Sequence, residues 1–326
     1  MRVLLTGAFG NVGRSTLEEL IQKGHTVRTF DMPTARNKRT ARRFTCVEPV
    51  WGDIRSPHSI ERALAGVDVI IHTAAIIPPL ADLKPLLARE VNVEGTRNIC
   101  EAVKKQATPP RLIYTSSIAV YGDRVNNPYI GIKDPPNPTP RDEYAKQKLA
   151  AENIIRSSGI TWAIFRLSYI VSAQRLKMDP LMFELPLRTS IEICDTRDVG
   201  LALARAVSGA GIWGRILHIA GGPACRISYG EYLNRMTELF GLGANFFPEA
   251  AFSTHGLHCG FMDTTLSQEL FGFQHHTLED FFIQVKKRFR LRAFFTRAVR
   301  WILRPFLLRT SPYYCAALKK LQLVPG

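Results

Sequence analysis

Tyr144 and Lys148 stand four apart in the run YAKQK, a spacing that puts both on one face of a helix. A free tyrosine ionises near pH ~10, too high for a base near neutrality. A neighbouring ammonium favours the phenolate and lowers that value. Such a pair can act as a general acid/base that trades a proton with a substrate oxygen while a hydride moves. The run YTSSIAVYG places Ser117 at 27 residues before Tyr144. At the end of a strand, Ser117 rather than Ser116 would donate a hydrogen bond to that same oxygen. Asn92, in VNVEGT, falls on a preceding helix, where an amide can order water or fix the lysine side chain.

A second constellation opens the chain. TGAFGNVG sets Gly7, Gly10 and Gly13 between an apolar run and a helical pattern. The first glycine permits a tight turn, the second lets a pyrophosphate approach the backbone, and the third lets helix and strand pack closely. The helix N-terminus then faces the anion. Asp31 ends the next apolar run, where a carboxylate accepts hydrogen bonds from a ribose 2′-OH and repels a 2′-phosphate, favouring NAD. Arg36, Lys38 and Arg39 follow closely and keep NADP open. Asp53, in WGDI, is placed to meet the adenine.

These groups need a scaffold. Runs rich in Val, Ile and aromatics at 2–7, 26–31, 46–53, 68–75, 111–117 and 161–167 alternate with helical patterns near 11–23, 56–65, 85–106 and 143–157. Several of the runs lack polar alternation, as expected of strands covered by helices on both faces. The order predicts an α/β fold, a doubly wound parallel sheet of the Rossmann type. One more strand is expected at 214–222, after a helix starting near Asp198. The proline-rich stretch 126–140 is expected to be a loop. Residues 168–196 and 223–280 are assigned to a small substrate lobe over the strand ends, and 1–167 plus 197–222 to the dinucleotide domain.

Charge singles out the other end. The net charge is +15, yet no Asp or Glu follows Asp280, while 286–309 (KKRFRLRAFFTRAVRWILRPFLLR) holds nine basic residues among aromatics and aliphatics. A basic, Trp- and Phe-bearing amphipathic helix is the pattern of an interfacial anchor on an anionic membrane. Residues 281–326 are therefore assigned to a basic amphipathic tail, with Pro305 expected to kink or end its helix. Nucleic acid is not an expected partner, because the segment is too apolar. The alternative is a helix packed on its own domain or on a second copy. Six scattered cysteines without a C-x-x-C run read as reduced thiols of an intracellular chain, so the expected location is cytoplasmic, peripheral on a membrane's inner face. HGLHC at 255–259 lacks a matching second cluster of ligands, and no metal is expected.

The ordered set TGAFGNVG, Asp31, Gly52–Asp53, HTAA, NVEGTRN, TSSIAVYG, YAKQK and DTRDVGLAL resembles the extended short-chain dehydrogenases/reductases, the NAD-dependent epimerase/dehydratase family that also includes 3β-hydroxysteroid dehydrogenases. The resemblance covers about residues 1–222. It implies that Ser117, Tyr144 and Lys148 carry catalysis with Asn92 in support, and that Lys148 also binds the nicotinamide ribose. The implied cofactor contacts are Gly7, Phe9, Gly10, Asn11, Val12, Gly13, Asp31, Asp53, Ile54, Thr73, Ala74, Ala75, Tyr144 and Lys148. Members often dimerise through helices matching 85–106 and 143–157, so a homodimer is an expected assembly. The departures matter too. Ile118 and Ala119 stand where dehydratases carry an acidic pair. After Arg166 the Asn and Tyr-Gly usual in sugar-nucleotide epimerases are missing, and Leu176, Met178, Leu181, Met182, Phe183 and Leu185 follow instead. The expectation is an NAD(P)-dependent oxidoreductase acting on a hydroxyl or keto group of a hydrophobic substrate (a sterol, polyprenoid or keto-lipid). A sugar-nucleotide epimerase with tightly bound NAD and a non-catalytic NAD-binding protein are the alternatives.

Overall fold

The computed structural model describes residues 1–322 other than Arg175 and Lys177; those two and residues 323–326, the end of the expected tail, lie outside the described residues. In chain order the strands are β1 (Arg2–Thr6), β2 (Thr26–Asp31), β3 (Glu48–Trp51), β4 (Val69–His72), β5 (Arg111–Ser117), β6 (Tyr129–Ile130), β7 (Trp162–Leu167), β8 (Tyr169–Val171), β9 (Ser190–Asp195), β10 (Ile216–Ile219), β11 (Arg226–Ser228) and β12 (Phe261–Met262). The α-helices are α1 (Asn11–Gln22), α2 (Ala35–Ala41), α3 (Pro57–Leu64), α4 (Leu80–Leu83), α5 (Pro85–Arg89), α6 (Gly95–Lys104), α7 (Glu143–Ser157), α8 (Thr196–Ala206), α9 (Tyr229–Leu239), α10 (Thr265–Phe271), α11 (Leu278–Leu308) and α12 (Pro312–Gln322).

The main sheet has seven strands in the order β10-β7-β5-β4-β1-β2-β3, and every neighbouring pair is parallel. This is the α/β, doubly wound Rossmann arrangement expected from the alternation of strands and helices. Its order reverses direction between β1 and β4, and ligands bind such sheets at the carboxyl ends of the strands beside that switch. One face is covered by α1 and α8 through Leu17, Leu20, Val199 and Leu203. The other is covered by α3, α6 and α7 through Ile60, Leu64, Ile99 and Ile155. Covering both faces is why Val69–His72 is buried at every position.

The lobe segments and the proline-rich stretch contain short strands. β8, β9 and β11 form a three-stranded sheet, and β6, inside the proline-rich loop, pairs with β12. Pairing of two- and three-residue strands is set by tertiary contacts and leaves almost no periodic signal. The expected helix 85–106 is instead α5, a π-helical turn at Glu90–Glu94, and α6.

The boundary expected after residue 280 falls inside α11. Thr277 and Asp280 form a capping box at its start, the Thr277 hydroxyl accepting from Asp280 N and the Asp280 carboxylate from Thr277 N. Phe281, Phe282 and Val285 are then buried in the same cluster as Tyr232, Leu233 and Met236 of α9. Leu308 joins that cluster, and Ser311 Oγ donates to Ala251 O at 2.6 Å. The basic segment is therefore moored at both ends on the lobe. The helix ends at Leu308, one turn beyond Pro305.

Candidate active site

The loop after β1 is shaped to admit an anion. Gly7 has φ +65° and lies so close to Ala74 that a Cβ there would stand 2.7 Å from its backbone. A Cβ on Gly13 would come within 2.1 Å of Gly7 O, so α1 can approach β1 only with glycine there. Gly10 caps α1 without a side chain to bond the first helical N–H groups, which suits a phosphate at that end. Thr73, Ala75, Asn11 and Val12 line the cleft at this end. The Thr73 hydroxyl donates to Thr6 O at 2.8 Å, fixing the loop after β4 beside the glycines.

Asp31 is half-buried at the end of β2. Its carboxylate accepts from Phe9 N at 3.1 Å, Met32 N at 2.8 Å and Asn37 Nδ2 at 3.0 Å. Burial raises its pKa, and the Phe9 and Met32 backbone bonds oppose that. Asn37, in α2, is the side chain of the 35–39 run that reaches Asp31. Asp53 forms an ion pair with Arg55 at 2.6 Å, which holds its carboxyl below the usual range, and Arg55 also bridges to Glu90. The Ile54 side chain lies in the core, packed against Gly95.

Ser117 ends β5, and Tyr144 and Lys148 lie on one face of α7; all three line the same cleft. α7 starts there because the Asp142 side chain accepts from Ala145 N at 2.9 Å. The Lys148 ammonium donates to Thr115 O at 2.7 Å and lies 5.8 Å from the centre of the Tyr144 ring. Burial pulls the Lys148 pKa down to about 7, against the attraction of Glu152. The Tyr144 pKa is not lowered as expected. Burial first and the Asp142 carboxylate second push it well up, opposed by a hydrogen bond with Ser117. The protein's own dielectric thus disfavours both charged forms, and Tyr144 stands as a neutral phenol.

Among the described residues no hydrogen bond joins Asn92 to Lys148. Asn92 is buried in the π-helical turn, where it accepts from Ile76 N and donates to Ile76 O and Gln147 Oε1, each at 2.8 Å. It ties the loop after β4 to α7 one residue before the lysine. The Ser116 hydroxyl is engaged inside the protein, where its Oγ donates to Glu152 Oε1 at 2.5 Å. Glu152 forms a buried ion pair with Arg166 at 2.6 Å, and Arg166 donates to Tyr121, which bonds His218. This network, between α7 and β7, braces the helix carrying Tyr144 and Lys148. His72 stands behind the glycine loop, bonded to Thr6 and Thr96, and burial lowers its pKa to about 3, so it is neutral.

The cleft measures about 720 Å³. Away from the glycines its wall is largely apolar, with Leu176, Leu181, Met182, Leu185, Tyr232 and Met236 on it. Phe183 is instead fully buried in the lobe core. Sequence reasoning missed a polar corner of the same cleft. His258 Nδ1 lies 2.8 Å from Asp142 Oδ2, and Arg141 pairs with Glu184 at 3.1 Å. His258 is the second histidine of HGLHC, and its partner is a carboxylate 116 residues away.

Residues 3–183 match the NAD dependent epimerase/dehydratase family. The chain belongs to that family. A 3-beta-hydroxysteroid dehydrogenase of Mycolicibacterium neoaurum is 35% identical over 162 residues, 47% of this chain and 42% of that protein. The N-acetyl-alpha-D-glucosaminyl-diphospho-ditrans,octacis-undecaprenol 4-epimerase of Escherichia coli O157:H7 is 35% identical over 156 residues, covering 47% and 42%. The human 3 beta-hydroxysteroid dehydrogenase type 7 is 33% identical over 162 residues, covering 47% and 43%. The chain spans less than half the length of these curated relatives. A dTDP-glucose 4,6-dehydratase of Streptomyces venezuelae, solved with NAD bound, superposes with a TM-score of 0.74 at 22% identity, covering 90% of this chain and 98% of that one. At that identity the likeness speaks for the fold.

Proposed function

We propose that the protein is an NAD(H)-dependent oxidoreductase that interconverts a hydroxyl and a keto group on a hydrophobic substrate of the sterol, polyprenoid or keto-lipid class. The observation that carries this reading is the apolar wall beside Ser117, Tyr144 and Lys148 in one cleft. Residues fitting the dinucleotide are those of the glycine cradle, whose closeness to Ala74 and Ala8 leaves no room for a side chain, and Asp31 at the expected ribose position. NADP stays the less favoured cofactor, since Asn37 rather than a basic side chain accompanies Asp31. When bound, the dinucleotide supplies the hydride acceptor or donor.

The chain's own residues do the rest. Ser117 donates a hydrogen bond to the substrate oxygen. In reduction Tyr144, held as a neutral phenol, gives its proton to the carbonyl oxygen; in oxidation the Tyr144 phenolate, its own proton first lost to solvent, takes the proton of the substrate hydroxyl. Lys148 orients the site, and Asn92 is a positioning residue that acts through Ile76 and Gln147. The same reading gives a cytoplasmic location, peripheral on a membrane's inner face. The homodimer through the helices of 85–106 and 143–157 remains part of the proposal.

The polar corner of Arg141, Asp142, Glu184 and His258 favours a second reading, an epimerase in which hydride leaves and returns to the same sugar carbon. Net formation of NADH separates the two. Incubation with NAD and a panel of steroid and polyprenoid alcohols should give absorbance at 340 nm with at least one of them. Turnover of UDP- or polyprenyl-linked sugars without net NADH would replace the first reading by the second. NAD binding with neither activity would leave a non-catalytic binder.

A further inference from the structure

The outer face of α11 is uncovered. Leu291, Phe294, Phe295 and Trp301 are 69–73% exposed, and Ile302 and Phe306 extend the same surface. Their spacings of three, four and seven put them on one side of a helix. The opposite side, with Phe281, Phe282, Val285 and Phe289, is the one packed on the lobe. Basic residues flank the apolar row on both borders, Arg290, Arg297 and Arg304 a heptad apart on one and Arg288 and Arg292 on the other. Among the described residues none of the nine basic side chains of 286–309 lies within salt-bridge distance of a carboxylate. A helix that only covered its own core would have no reason to leave aromatic rings in water between unpaired cations.

We infer that this face of α11 is a docking surface for an anionic lipid bilayer, lying in the plane of the headgroups with its apolar row below them. The charge pattern selects the occupant. A second copy of the same face would bring two sets of cations together with no acid between them, whereas an anionic leaflet supplies the counter-charge. No helix among the described residues is long and apolar enough to span, so the contact is interfacial. The inference deepens the proposed function and rests on it only for its purpose. α9 lies between the bilayer face and the cleft: Tyr232 stacks on Phe281 at 6.3 Å and Phe240 meets Phe289 edge-on at 5.0 Å, while both Tyr232 and Phe240 line the cleft. A lipid substrate would enter one helix away from the leaflet.

The test uses the full chain and does not depend on turnover. Co-sedimentation with vesicles of phosphatidylcholine containing one third phosphatidylglycerol, at low salt, should capture the protein, and pure phosphatidylcholine should capture far less. Binding should fall at least tenfold as salt is raised, because these charges are screened within about 10 Å at 0.1 M. The double variant Phe294→Glu/Trp301→Glu should lose at least tenfold in vesicle binding while keeping its melting temperature and dinucleotide affinity, since both side chains are exposed. Equal binding of the variant, or equal binding to neutral and anionic vesicles, would overturn the inference. So would a wild-type dimer that the double variant breaks into monomers while vesicles bind neither, since the face would then belong to a second copy.

Discussion

The ammonium of Lys148 is held 2.7 Å from the carbonyl oxygen of Thr115, the residue two before Ser117 on β5. A lysine at that depth is anchored by one strand carbonyl, and burial lowers its pKa from 10.5 to about 7. The unfolded chain therefore binds more protons than the folded one between pH 7 and 10.5. Burying the charge costs stability in full below about pH 7, and the cost fades as pH rises toward 10.5. Lys148→Met should thus raise thermal stability most at pH 6 and progressively less toward pH 10. At ~1.4 kcal/mol per pKa unit the difference between those two pH values should reach about 2 kcal/mol or more. Denaturant melts across that range check it, and a stability change that does not vary with pH would refute it.

Tyr144→Phe removes the transferable proton and leaves the ring. Because Tyr144 faces the cleft and not the core, the fold and dinucleotide affinity should persist while turnover drops about 10²–10⁴-fold. Steady-state rates paired with a fluorescence titration of NADH make the comparison. Retained turnover would remove Tyr144 from the mechanism.

Asp31→Ala should weaken NAD binding roughly 10–100-fold, the scale of losing hydrogen bonds to a charged group. It should also narrow the preference over NADP, because the carboxylate that opposes a 2′-phosphate is gone. The glycine loop loses its Phe9 tether as well, so part of the loss should appear with both cofactors. Calorimetric titration with each dinucleotide separates the two effects.

The fold was legible because strand and helix periodicity are local and the sheet is covered on both faces. The glycine cradle and the Tyr144–Lys148 pair were legible because the chemistry fixes short spacings. Asn92, Asn37 and the Asp142–His258 pair were legible at most as residue types. Their partners are set by how the loop after β4, the start of α2 and the lobe fold back, and no spacing encodes that. The sense of the Tyr144 pKa was misjudged for a similar reason. A lysine four residues away suggests an electrostatic effect, but burial dominates at Tyr144 and the opposing contribution comes from Ser117.

The Glu152–Arg166 pair shows the same dependence on depth. Both side chains are almost fully buried, so Arg166→Met leaves a carboxylate without compensation, at about 3–5 kcal/mol. The double variant Arg166→Met/Glu152→Leu should recover a large part of that loss. Ser116 would lose its acceptor and Tyr121 one of its two partners, so recovery should be incomplete. Urea melts of the single and double variants give the coupling.

α11 serves two environments, and two phenylalanines thirteen positions apart report on them separately. Phe281 is 1% exposed and stacks on Tyr232, whereas Phe294 is 70% exposed. Phe281→Ala should cost about 3–5 kcal/mol through the cavity it leaves in the lobe core. Phe294→Ala should stay within about 0.5 kcal/mol, as for an exposed site away from caps and cores. A chain stopped after Asp280 would lose Phe281, Phe282, Val285, Leu308 and the Ser311 bond together, and should fail to hold the lobe even with the sheet intact. Chemical melts of the two alanine variants decide the matter. Equal and small effects would mean that α11 contributes little to the lobe and that its packed face has been misassigned.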